Sequence, residues 1–310
     1  MSNFPFPVDP VMTAIAVAFS NKRLIADEVL PRVPVGKKEF KYLKHTLAEN
    51  FTIPNTRVGR KSKPNTVEFS ATEETDSCVD YGLDDPIPQE DINNAPANYS
   101  PVNRSVEGLM DLILLDREVR AANLVFDATK YNAANKVALA GADQFSDFVA
   151  SDPIEVIMDA LDSMIMRANV AVFGRAVFSA LARHPKIVKA VHGNSGDSGI
   201  ATRRQIAELF ELEDVLVGEA FLNTAKKGET TALSRAWGKH AALIYRDRMI
   251  GPTGGRIAFG FTAEHGSRVA GSAPDRNIGL RGGQIVRVGE TVKEVITSDR
   301  LGYFIQNAVA

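Results

Sequence analysis

The first third of this chain most restricts what it can fold into, because it reads as two limbs without a core of their own. Residues 1–38 carry Pro5, Pro7, Pro10, Pro31 and Pro34, each of which fixes φ and removes a backbone donor. Between them an apolar run, 11–19, has no partner segment nearby. Residues 11–30 allow one short helix with Arg23, Asp27 and Glu28 on its wet face. Two strand-like runs follow, 39–46 and 66–70. Phe40, Tyr42 and Leu43 give a partial alternation on the first, and Val67, Phe69 and Ala71 an alternation on the second. The tip between them holds Arg57, Arg60, Lys61 and Lys63, with Gly59 and Pro64 as breakers. The descending limb turns acidic (Glu73, Glu74, Asp76, Asp80, Asp84, Asp85, Glu90, Asp91) and is expected to end at Pro86, Pro88, Pro96 and Pro101. Neither limb can bury itself in the usual way. Completion by neighbouring copies is the expectation, which points to assembly rather than catalysis.

Charge narrows the field further. With 36 basic and 38 acidic side chains the net charge is −2, against a dedicated nucleic-acid binder, which would show a basic surplus. Such a surface can lie near DNA without gripping it. The single cysteine, Cys78, permits no intrachain disulfide. Its acidic neighbours disfavour a thiolate, so it reads as a small apolar residue. The N-terminus lacks the basic region of a secretory signal, and the run 11–19 is too short to span a bilayer. A soluble protein made in the cytoplasm is expected.

Beyond residue 100 the helix signals sharpen. Ser105 reads as the N-cap of a long helix over 106–132, with apolar residues at helical spacing and a length on the order of 40 Å. Asp152, Pro153 and Glu155 open another helix. Shorter helices are predicted over 175–182, 186–191 after His184, and 206–210 behind the capping box of Thr202 and Gln205. After Asp214 strands dominate: 215–217, 241–245, 256–261, 284–288, 292–296 and 303–309. Helices and strands mix without strict alternation, so the class is α+β.

No string carries convincing chemistry. Gly196-Asp197-Ser198-Gly199 matches the nucleophile motif of trypsin-like serine proteases, but it lies between two helices and continues with Ile200 and Ala201. A soluble hydrolase using Ser198 is the rival from another class, and a polar loop is the preferred reading. His45, His184, His192, His240 and His265 form no His-x-x-x-His or His-Glu-x-x-His pair. His184 reads as a cap before Pro185, and Gly251-Pro252-Thr253-Gly254-Gly255, which lacks the lysine and spacing of a phosphate loop, as a turn. No catalytic residue, metal or cofactor is assigned. The basic tip could touch DNA or be merely solvated. A third reading fits better: Arg57, Arg60, Lys61 and Lys63 of one copy meeting Glu73, Glu74, Asp84 and Asp85 of another.

Four blocks bring in a resemblance. They are 24–35 (LIADEVLPRVPV) with Lys37, Lys38 and Tyr42; 81–88 (YGLDDPIP) with Asn94 and Ala95; 215–226 (VLVGEAFLNTAK) with 237–245 (WGKHAALIY); and 302–309 (GYFIQNAV). In their order and spacing the chain resembles the major capsid proteins of tailed bacteriophages and prophages. The resemblance implies the Hong Kong 97 phage type of capsid fold. Residues 1–38 would be an N-terminal arm, 39–98 an extended β-hairpin loop, and 99–169 a peripheral domain with a spine helix near 104–134. Residues 170–283 would form an axial domain, and 284–310 would return as strands to the peripheral domain. It further implies an icosahedral shell of hexamers and pentamers around double-stranded DNA, held by weak non-specific contact. Scaffold, portal and decoration proteins would be partners, with assembly in the bacterial host cytoplasm. No membrane is involved. Some relatives carry a long helical leader that serves as scaffold and is later cut off; here the arm block begins near the N-terminus, so either a separate scaffold serves or the sequence is already mature, and Met1 favours the separate scaffold. An encapsulin-type nanocompartment shell shares the fold and is the alternative.

Overall fold

A computed structural model describes residues 6–45, 51–67, 71–193, 199–226, 228–252, 254 and 256–310. Its helices are α1 (Pro10–Ala18), α2 (Ala26–Val29), α3 (Gln89–Asn93), α4 (Pro101–Val125), α5 (Pro153–Ser163), α6 (Arg175–Leu181), α7 (Pro185–His192) and α8 (Arg203–Leu209). The strands before the midpoint are β1 (Arg32–Val35), β2 (Glu39–His45), β3 (Ala71–Ser77), β4 (Val79–Pro88) and β5 (Lys136–Ala138). Then come β6 (Val170–Gly174), β7 (Asp214–Gly218), β8 (Phe221–Asn223), β9 (Leu233–Arg235) and β10 (Ala241–Ile244). The last are β11 (Gly260–His265), β12 (Val269–Asp275), β13 (Gly283–Ile296) and β14 (Gly302–Gln306).

Local sequence fixes many helix starts in one way. Asp9, Ser100, Asp152 and His184 each accept a backbone N–H of the first turn, and each is followed by a proline. The proline's missing donor costs nothing there, because that N–H has no helical partner. Pro101 is thus the start of the long helix rather than the end of the preceding limb. The helix begins earlier than the predicted 106–132 and stops at Val125, where Asp127 opens a 3₁₀ turn by accepting from Thr129 N–H at 2.9 Å. Ser105, expected as the cap, instead donates to Asp85 at 2.6 Å. At ~1.5 Å per residue α4 is about 38 Å long.

Two sheets organise the molecule. In the first, β1, β11, β13 and β12 lie in that order, and β4 also pairs with β13. In the second the order is β5, β14, β10, β6, β7. Parallel pairs (β1 with β11, β6 with β7, β5 with β14) sit among antiparallel ones, as an α+β fold allows. Helices α1 and α4 cover the first sheet, burying Ala16, Val106, Met110, Ile113, Val286 and Val288. Helices α5 to α8 cover the second, around Phe173, Phe178, Ile187, Phe210, Leu243 and Ile305. A third cluster, with Leu30, Val125, Trp237, Phe259 and Phe304, welds the two together. Each such side chain taken from water contributes about 1.5–3 kcal/mol.

Several expectations change. The strands predicted at 284–288 and 292–296 are one strand, because Gly289, Glu290 and Thr291 stay in the ladder with β4. The strand predicted at 256–261 begins at Gly260. β4 holds Pro86 and Pro88, which an edge strand tolerates because its outer face needs no donor. The expected boundary at 283/284 does not part the sheets: β11 and β12 pair with β13, whereas β14 joins β10 in the second sheet.

The arm has partners in its own chain. Asp9 N–H donates to Ala270 O at 3.0 Å, and Arg268 donates to Ala16 O and Phe19 O at 2.9 and 3.0 Å. The run 11–19 lies against α4 and β12, and β1 adds to β11. An apolar run with no sequence neighbour has found a distant one.

Candidate functional site

The hairpin is anchored at its base and exposed at its tip. β2 and β3 pair from Glu39 opposite Ser77 to His45 opposite Ala71. The second limb is therefore 71–77; Thr66 and Val67 are not strand, and 68–70 lie outside the described residues. Across the two strands Glu73 pairs diagonally with Lys41 and Glu74 with Lys44. Phe40 and Tyr42 are buried, their rings 6.5 and 6.3 Å from that of Phe261. Burial, then the neighbouring Glu74, push the Tyr42 phenol up to about 12.

Beyond the strands, every residue from 51 to 67 is exposed. Asn65 donates to Asn55 O at 2.7 Å and pinches the loop. It carries Arg57, Arg60, Lys61 and Lys63 together with exposed Phe51, Ile53, Val58 and Val67, and no acidic residue.

The four acidic residues proposed as its counterpart fall in two places. Glu73 and Glu74 are occupied on the hairpin, Glu74 also accepting from Tyr42 OH at 3.1 Å. Asp84 and Asp85 sit on β4. Arg287 donates to both Asp84 oxygens at 2.7 and 2.6 Å and holds that carboxyl below its ordinary range. Between β4, α3 and α4 lies an open groove of about 810 Å³, lined by Asp84, Asp85 and Asp91 with Tyr99, Leu109 and Leu112. Tip and groove are different patches: β3 runs almost directly into β4 through Cys78, and the groove is lined by the far half of β4, from Asp84 to Pro88.

A second cluster was not foreseen. Glu118, fully buried on α4, accepts from Ile25 N–H, Ala26 N–H and Trp237 Nε1–H, the last at 2.5 Å. Burial raises its pKa, and these hydrogen bonds oppose the rise. The adjacent Arg117 pairs with Asp27 and donates to Thr262 Oγ1 at 3.0 Å and Leu30 O at 3.4 Å. Arg246 donates to Glu28 O at 2.7 Å and binds Asp214. Burial works against the charge of Arg32, but Glu290, Asp27 and Glu264 offset it and raise its pKa. The arm is thus gripped largely through its backbone. Helical spacing held the signal, since Arg117 and Glu118 fall on the same stripe as Met110, Leu114, Ala121 and Val125.

The other sequence candidates contribute no site. Ser198 lies outside the described residues, as do Thr253 and Gly255. His184 Nδ1 accepts from Lys186 N–H at 3.3 Å and its Nε2 lies 3.1 Å from Ser151 Oγ, a buried cap. Among the described residues no three His, Cys, Asp or Glu side chains could hold a metal ion, and no helix is long and apolar enough to cross a membrane.

Comparison with known proteins adds a third line. Residues 125–270 match the family described as phage major capsid protein E. Over all 310 residues of both chains this one is 58% identical to the major capsid protein of Pseudomonas phage JBD67. Among solved structures it is similar to a phage-related protein from Bordetella bronchiseptica RB50, with a TM-score of 0.76, 24% identity and 98% of each chain covered. It is also similar to the SrpI encapsulin of Synechococcus elongatus PCC 7942, with a TM-score of 0.56, 9% identity, and coverage of 99% of this chain and 92% of that one.

Proposed function

Since this chain belongs to the phage major capsid proteins, we propose that many copies of it close into an icosahedral shell of hexamers and pentamers around double-stranded DNA. Its surfaces then serve assembly rather than a reaction. In this reading the hairpin is the extended loop, α4 the spine helix, and the body around β6, β7, β10 and β14 the axial part. The encapsulin likeness, at 9% identity, speaks to the fold alone. Scaffold, portal and decoration proteins belong to the proposal as partners, with assembly in the host cytoplasm, and DNA is met by weak contact suited to a net charge of −2.

One observation carries the reading: a wholly exposed tip, basic and apolar, on a hairpin whose base is fixed. We place it on the acidic groove of a second copy, where Asp84, Asp85 and Asp91 face Arg57, Arg60, Lys61 and Lys63. Glu73 and Glu74, already engaged across their own strands, play the lesser part. Because tip and groove are different patches of the chain, the contact is head-to-tail, and head-to-tail contacts whose rotation closes form rings. Each is modest, and many together hold a closed lattice.

The test is expression with a scaffold partner, followed by electron microscopy. Wild type is expected to give closed particles. Reversing Arg57, Arg60 and Lys61 to Glu is expected to cut their yield at least tenfold. Unchanged yield would remove the tip from the mechanism, and discrete small oligomers from wild type would remove the shell.

A further inference from the structure

The stretch of chain that leaves β10 begins at a fixed point. Arg246 N–H donates to Asn169 Oδ1 at 2.7 Å, and Asn169 Nδ2 donates back to Arg246 O at 2.8 Å. The buried Arg246 side chain holds Glu28 O of the arm and Asp214 of β7. A short built turn follows, in which Asp247 Oδ1 accepts from Met249 N–H at 2.8 Å and Asp247 O from Ile250 N–H at 3.3 Å. Ile250 is buried with Phe40, Tyr42 and Phe261. Two residues on, Pro252 O accepts from Leu43 N–H at 3.0 Å. Leu43 belongs to β2. One end of this stretch is therefore fixed to the second sheet and the arm, and the other to the hairpin.

Position decides what that last contact can do. At its foot the hairpin is held by Lys38 O, which accepts from Cys78 N–H at 2.8 Å, and by the ion pair of Lys38 with Asp80. A hold at the foot lets the hairpin swing about it. Leu43 lies five residues further along the chain, about 17 Å away at ~3.4 Å per residue, and a restraint at that radius fixes the angle. β3 cannot supply it, since it is paired to β2 and moves with it. Phe40 and Tyr42 rest on the body by burial, which has no preferred direction; the Leu43 hydrogen bond has one. We propose that residues 246–252 are a strap that sets the angle at which the hairpin leaves the body and couples that angle to the second sheet. One part rests on the reading above: if the tip reaches a second copy, the same angle fixes the tilt between copies.

The experiment measures hydrogen exchange in the unassembled full-length subunit. Leu43→Pro deletes the donor to the strap, and Asp247→Ala frees Met249 N–H inside the strap. Each is expected to speed exchange over residues 39–45 at least fivefold, with β10 and β13 unchanged. The double variant should be no faster than Leu43→Pro alone, because both lose the same hold. Wild-type exchange over 39–45 in either single variant, or rates that multiply in the double, would overturn the proposal. Should Leu43→Pro fold poorly, Ile250→Val combined with Asp247→Ala carries the same test with the same outcomes. In assembly with the scaffold partner, Leu43→Pro is expected to turn particles of one diameter into a spread of diameters and open sheets; particles like those of wild type would overturn the link to tilt. Failure of the shell reading is separate, since wild type would then give no shell while the exchange result would stand.

Discussion

Two segments of this chain look alike in sequence and end in opposite conditions. Residues 25–35 and 51–67 both contain proline, charge and isolated apolar residues. The first is clasped by Glu118, Arg117 and Arg246 and lies at the seam of two sheets. The second touches little but itself, and every residue in it is exposed. Propensity does not separate them. What does is whether the body offers buried charged groups aimed at the segment's backbone. One limb thus joins parts of its own chain, and in the proposed shell the other serves different molecules.

If that division is right, damage at the seam alters folding, and damage at the tip alters assembly. The largest effect is expected from Glu118→Ala, which strands three buried donors. At ~1–3 kcal/mol for each orphaned group, chemical denaturation of the unassembled subunit should show a loss of about 4 kcal/mol. A loss under 1 kcal/mol would break the comparison. Next comes pH. Burial raises the Glu118 pKa above its unfolded value. Its protonated form therefore contributes stability that is fully present below about 4.5 and is lost as pH rises through the folded pKa. Wild type should decline with rising pH relative to Glu118→Gln, by at most about 1.4 kcal/mol per pH unit; parallel curves would deny the shift. Smaller again is Gly271→Ala. A Cβ there would stand 2.0 Å from Pro7 O, so the start of the arm must shift, at a cost of about 1 kcal/mol, readable as faster proteolysis near residue 7. Smallest is the tip itself: reversing Arg57, Arg60 and Lys61 should leave subunit stability within about 0.5 kcal/mol, although it cuts shell yield.

What could be read in advance follows the range of each signal. Helix starts at Asp152, His184 and Thr202 were legible because a cap and its N–H partners lie within three residues. The start at Ser100 has the same signature but was masked by Pro101, whose reading depends on which side of it the helix lies. β13 looked divided because Glu290 interrupts an apolar pattern, yet it is buried at 0% side-chain exposure beside Arg32 and Arg268. Those partners come from residues far away in sequence. The basic tip was plain from composition. That Glu73 and Glu74 are engaged across their own strands was not legible, because that pairing appears only once the register is known.

The near-continuity of β3 and β4 has a mechanical result. β4 is bound to β13 along ten registered positions, from Val79 opposite Val292 to Pro88 opposite Gly283. Tension applied at the far end of the hairpin runs lengthwise into that ladder and loads its hydrogen bonds together, in shear, rather than peeling them singly. A container stretched by the pressure of its contents would then be pulled along its strongest direction, with the load ending in the longest strand of the subunit.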